Sequence, residues 1–182
     1  MLIDEFLPIY DFDEKHEINV RASAEKVCAA LNSFDYNESA VIRRLFWLRG
    51  LASENAGGAS SESCNLRDMT KSDFVVLGEK PNEEILFGLA GKFWTLKGDL
   101  QKLKAEEFFA FAKEGYAKAA WNFTLSETDE MRTCLKTETR VRCLGAASHE
   151  SFRFYWMFVK PFSGWIRREM LRLVKQKAEA AA

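Results

Sequence analysis

The stretch "FRFYWMFVKPFSGWIRREM", residues Phe152–Met170, decides how this chain folds. It packs aromatic side chains more densely than any other part of the sequence, and basic residues punctuate it. Phe152, Tyr155, Val159, Phe162, Ile166, Met170 and Leu173 recur at steps of three and four, which draws one seam along a helix. A membrane span needs about 20 residues almost free of charge. Arg153 and Lys160 interrupt this run and Arg167 and Arg168 follow directly, so it is not a transmembrane helix. Phe154, Phe158 and Trp165 widen the apolar face beside the seam. A helix apolar over more than half its circumference needs a partner that curves around it, and a twisted antiparallel sheet supplies one. The stretch therefore reads as a long C-terminal core helix. Ser148 is its expected N-cap. Pro161 removes one helical hydrogen bond and is expected to bend or interrupt it.

Strands precede that helix. "AKAAWNFTLSE" (Ala117–Glu127) and "MRTCLKTETRVRC" (Met131–Cys143) alternate in period two and are joined by a tight turn. Trp121, Phe123 and Leu125 share one face, opposite Asn122, Thr124 and Ser126. Leu135, Thr137, Thr139 and Val141 likewise oppose Lys136, Glu138, Arg140 and Arg142. "DFVVLGE" (Asp73–Glu79) and "EEILFGLAG" (Glu83–Gly91) flank a "KPN" turn. Short strands are expected to continue around Gly98 and Asp99, and residues 105–114 fit either a helical turn or a strand. At the other end, Glu14–Ala22 reads as a strand, with Ile18 and Val20 alternating. Ser23 caps a short helix carrying Val27, Ala30 and Leu31, and a second runs from about Ser39 to Leu48. The Gly/Ser-rich segment that follows marks a flexible loop at about 52–65.

Length and composition set the class. With 182 residues, 47% hydrophobic and 29% charged, the chain reads as one soluble globular domain spanning 1–182. Lys plus Arg (26) nearly balances Asp plus Glu (27), and phosphate binding needs a cationic surplus, so nucleic acid is not the expected partner. Cys28, Cys64, Cys134 and Cys143 form no CxxC pair, and with two histidines they make no zinc set. No metal and no cofactor is expected. The acidic N-terminus lacks the basic and apolar regions of a signal peptide, so the thiols are expected reduced and the chain cytoplasmic.

The order strand, two short helices, antiparallel strands, long C-terminal helix resembles the START-like helix-grip superfamily (SRPBCC), which includes polyketide cyclase/lipid-transport and birch pollen allergen relatives. "RRLFWLRGL", "FGLAGKFW", "GYAKAAWNF", "TETRVRC" and "FYWMFVKPFSGWIRREML" look most like a bacterial branch of it. The likeness spans nearly the whole chain. It implies an α+β fold, a curved antiparallel sheet wrapped around the long C-terminal helix, with two short helices after the first strand. It also implies a cavity between sheet and helix that takes an apolar or amphipathic small molecule or lipid. Periodicity alone allows a filled core equally well. If the cavity exists, the inward parity sets and the helix seam give its walls: Phe87, Leu89, Trp121, Phe123, Leu135, Thr137, Thr139, Val141, Tyr155 and Val159. Two threonine hydroxyls among apolar neighbours suit a greasy ligand with one polar end, or they satisfy each other or the backbone.

Two alternatives stand beside this reading: a cyclase/dehydratase-type enzyme in the same cavity, and a ligand-free protein-interaction module. The first needs a strongly polar group facing inward, and no catalytic constellation is recognisable. Glu138 and Arg140 face away from the greasy side and read as a solvated or sheet-surface ion pair. His16 and His149 read as surface or capping histidines. "FGLAGKF" fails as a phosphate loop, with Leu86 and Phe93 at two required positions. Arg167, Arg168, Arg172, Lys175 and Lys177 make the end of the helix basic. They serve the helix dipole, or a transient contact with a membrane surface.

Overall fold

Alternation through residues 116–144 produces the longest hairpin, β4 (Tyr116–Asp129) against β5 (Arg132–Leu144), in a computed structural model that describes residues 1–34, 74–95, 98–129 and 131–181. β1 (Phe12–Val20) adds to the free edge of β5. β2 (Val75–Lys80) and β3 (Glu84–Gly91) extend the other side, giving an antiparallel sheet in the order β1-β5-β4-β3-β2. Asn82 takes a positive φ (59°) in the turn between β2 and β3, a conformation asparagine tolerates. The fold is α+β. The expected helix over 39–48 and the loop at 52–65 lie outside the described residues.

Four helices among the described residues cover the sheet. α1 (Leu2–Phe6) and α3 (Ala105–Ala110) lie on its outer face, where Ile3, Leu7 and Phe108 pack against Leu77, Leu86 and Ala120. The helical alternative for 105–114 is thus the one adopted, in shortened form. α2 (Ala24–Asn32) buries Val27, Ala30 and Leu31, as its spacing predicts. α4 (Ala146–Ala180) is one helix of 35 residues. Its inner side, with Met170, Leu171, Val174 and Ala178, packs with α2 onto Phe123, Leu125 and Leu135. No described helix is long and apolar enough to cross a membrane.

Two local expectations are corrected and a third is narrowed. Of the bend or interruption expected at Pro161, the interruption is not adopted, since α4 runs through it. Met157 and Pro161 are both on the exposed side, where a carbonyl that loses its helical partner turns to water. Gly145 (φ 115°), not Ser148, is the N-cap; Ser148 is buried in the first turn and its Oγ donates to the Gly145 carbonyl at 2.8 Å. Among its described residues, the segment after β3 makes turns and one bridge, Ala90 to Gln101, instead of short strands. Gly98 (φ 70°) and Asp99 (φ 41°) supply the left-handed conformation that tight turns need and extended strands exclude.

Candidate functional site

Cross-strand neighbours share a face, so the register fixes what α4 meets. Glu14, Thr139, Trp121 and Phe87 form one inner row across β1, β5, β4 and β3. Phe12, Val141, Ala119 and Leu89 form the row on one side of it, and His16, Thr137, Phe123 and Ile85 the row on the other. Between the helix and the first two rows lies a pocket of about 210 Å³. Phe74, Phe87, Leu89 and Trp121 wall it from below, and Tyr155, Trp156, Val159 and Ile166 from the helix. Thr139, Ser163 and Arg167 bring the polar side chains.

Of the ten residues expected at such a wall, Phe87, Leu89, Trp121, Thr139, Val141, Tyr155 and Val159 border the pocket. Phe123, Leu135 and Thr137 do not. The first two belong to rows where Met170, Leu171 and Val174 meet Leu31 and Phe34 and close the space. The Thr137 hydroxyl is engaged: it donates to the Asn122 carbonyl at 2.8 Å and accepts from the Trp121 indole N–H at 2.7 Å.

Three polar residues escaped the sequence reading. Glu14 and His16 have the same parity as Ile18 and Val20, so the alternation of β1 already pointed them inward. His16 is therefore no surface histidine: its side chain is 16% exposed, and its Nε2 lies 3.0 Å from Glu14 Oε1. Arg167, read as part of the basic end of the helix, turns inward instead. Its guanidinium lies 5.0 Å from the Trp121 ring centroid, its Nε 3.9 Å from Glu14 Oε2, and its Nη1 donates to Thr137 Oγ1 at 3.4 Å. Gly164 lets the helix settle on this group, since a Cβ there would stand 2.6 Å from Glu14 Oε1. Glu14 and His16 open onto a second, polar pocket of about 450 Å³ shared with Asp13, Lys15, Lys160 and Arg168. Glu14 Oε2 and Thr139 Oγ1 are buried without a hydrogen-bond partner, an arrangement that costs free energy until a donor or acceptor arrives.

The outer face carries a different polar group. Glu138 and Arg140 are buried, which corrects the expectation of a solvated pair. α1 covers them: Arg140 Nε donates to Glu138 Oε1 at 2.6 Å, and its Nη atoms reach Asp4 Oδ1 at 2.7 Å and the Leu7 carbonyl at 3.2 Å. The Arg140 guanidinium holds the Asp4 carboxyl below the usual carboxylate range. Asn122 donates to Glu84 Oε1 at 2.7 Å, and Glu84 Oε2 accepts from the Leu2 amide at 2.8 Å. His149 is 40% exposed on its side chain and lies against Phe12, the ring centroids 5.2 Å apart. Cys28, Cys134 and Cys143 are free thiols, and burial together with the Asp11 carboxylate pushes Cys143 up to about 12. Cys64 lies outside the described residues.

No protein-family model matches the sequence, and no curated protein matches it. Among solved structures, a conserved protein from Geobacillus kaustophilus aligns with 93% of this chain and 97% of its own, at 10% identity and a TM-score of 0.47. The Zhui aromatase/cyclase from Streptomyces sp. R1128 aligns over 92% of this chain and 93% of its own, at 13% identity and a TM-score of 0.33. The di-domain aromatase/cyclase BexL of the BE-7585A biosynthetic pathway aligns over 92% of this chain and 50% of its own, at 11% identity and a TM-score of 0.34. No side-chain role is carried across from them. By its own course, five antiparallel strands holding one long C-terminal helix, the chain has the helix-grip architecture.

Proposed function

We propose that this domain binds a small, largely apolar molecule with one polar end in the pocket between the sheet and α4. The observation that carries the reading is the Thr139 hydroxyl, buried and unpartnered at the edge of an aromatic-walled pocket. Pockets of this kind fix an apolar body by shape and its orientation by a few polar groups. Thr139 Oγ1 offers both a donor and an acceptor, and the Arg167 guanidinium adds donors for a carbonyl, phenol or carboxylate. A dry cavity of about 150 Å³ holds benzene, so about 210 Å³ fits a two-ring aromatic or a short acyl chain. A long lipid would leave most of its length outside.

The enzymatic reading ranks second, on one observation. Glu14 and His16 face inward, yet they open onto the polar pocket beyond Gly164; among the described residues, the titratable groups lining the aromatic one are Arg167 and Tyr155.

The test is native mass spectrometry and calorimetry with 2-naphthoate, naphthalene and octanoate. Retention of 2-naphthoate is expected, together with its loss in Val159→Trp, which fills the pocket from the helix side. If no probe is retained, or the filled variant binds as the parent does, the reading fails.

A further inference from the structure

The solvent side of α4 carries Phe154, Met157, Phe158, Phe162 and Trp165, exposed by 66, 63, 56, 44 and 51%. At steps of three and four residues they form one strip roughly 16 Å long, parallel to the helix axis. The rings of Phe154 and Phe158 meet edge-on at 5.1 Å between centroids. Exposed cations border the strip: Arg153, paired with Glu150 at 2.8 Å, and Lys160 and Arg168, which make no ion pair among the described residues. Glu169 is held by Arg172 in two bonds of 2.8 Å.

We infer that this strip is a docking surface for an anionic lipid bilayer, on which α4 lies flat. Aromatic rings and a methionine on one side of a helix, with lysine and arginine beside them, match the depth profile of the membrane interface. Charge favours that occupant over a second copy. An antiparallel two-fold pairing of the strip sets the Lys160 and Arg168 edges of the two copies close to like charges, whereas anionic headgroups complement both. Area points the same way. The exposed parts of these five side chains amount to something on the order of 500 Å², short of the roughly 800 Å² per partner that a stable interface buries.

Of the basic residues at the end of the helix, this strip takes in Arg168 alone. Lys175 donates to the Asn19 carbonyl and Lys177 to the Ser33 carbonyl, each at 2.7 Å, so the basic end of α4 is clamped to its own domain. The middle of the helix faces out instead. This inference does not depend on what the pocket binds.

Flotation of the full chain with phosphatidylcholine vesicles, with and without phosphatidylglycerol, tests it. The chain is expected to float with the anionic vesicles, at least tenfold more weakly with neutral ones, and less as salt rises. The pair Phe158→Asp and Trp165→Asp is expected to abolish binding. Phe109→Asp, at a phenylalanine 64% exposed on α3, is expected to leave it intact. Lys160→Glu with Arg168→Glu is expected to weaken it at least tenfold, since each basic side chain at such a surface is worth about fivefold. Circular dichroism checks that each variant is folded. Failure of the parent chain to float with anionic vesicles overturns the inference, as does unchanged flotation of the double aspartate variant. A dimer in sedimentation equilibrium that the same aspartates dissolve assigns the strip to a second copy and overturns it too.

Discussion

On the outer face of the sheet, the network under α1 is closed: Asn122 bonds Glu84, both Glu84 oxygens are occupied, and Arg140 reaches Glu138, Asp4 and the Leu7 carbonyl. On the inner face, one row away from a fully engaged threonine, Glu14 Oε2 and Thr139 Oγ1 are buried without a hydrogen bond, Glu14 Oε2 facing Arg167 Nε at 3.9 Å. Both faces bury polar side chains from the same strands. A closed network fastens a helix to a sheet, while open hydrogen-bonding positions beside a pocket are what a binding site needs. The difference separates the face that holds the fold together from the face with chemistry to spare.

The sharpest way to break the contrast is Arg140→Ala set against Glu14→Gln. Arg140→Ala takes the guanidinium from the Glu138 carboxylate, 10% exposed on its side chain, and leaves it only the half-exposed Lys15 at 3.2 Å, and is expected to cost about 3 kcal/mol in urea unfolding. Glu14→Gln keeps the contact with His16 and loses only a long 3.9 Å charge contact with Arg167, which retains Thr137 Oγ1 and the Trp121 ring, so it is expected to stay within about 1 kcal/mol of the parent. Equal losses in the two variants would erase the distinction between the faces.

The two threonines offer a finer comparison on a single strand. Thr137→Val leaves the Trp121 indole N–H buried without an acceptor and is expected to cost about 1–3 kcal/mol. Thr139→Val removes a hydroxyl that bonds nothing, with an expected change under about 1 kcal/mol, while retention of 2-naphthoate falls. A Thr139→Val as damaging as Thr137→Val would mean that its hydroxyl is engaged after all.

The smallest expected effect is at Gly164. An alanine there gains about 1 kcal/mol of helix propensity against an overpacking cost of roughly 1–3 kcal/mol from a methyl 2.6 Å from Glu14 Oε1. A net loss of about 1 kcal/mol is expected. In a Glu14→Ala background the same change is expected to stabilise, and the double-mutant cycle measures the contact. Simple additivity would show that Gly164 has another role.

Much of the inner wall was legible in the sequence, because period two fixes faces. Trp121 against Asn122, and Leu135 against Lys136, follow from parity alone. The same rule applied to β1 would have revealed Glu14 and His16, since Ile18 and Val20 already set its inward side. Parity did not say which inward residues border open space. Phe123 and Leu135 share the inner face with Trp121, but lie in rows that Met170, Leu171 and Val174 fill.

The amino-acid sequence by itself determined the α+β class, the strand faces and the long terminal helix, since these follow from local periodicity and from charges that forbid a membrane span. Only the tertiary structure decided that Glu138 and Arg140 are buried, that Arg167 turns inward beside Trp121, and that the basic end of α4 is clamped while its aromatic middle faces out. Those outcomes depend on which surface α1 and α4 happen to cover. Such contacts join residues from tens to more than a hundred positions apart, and no local pattern records them.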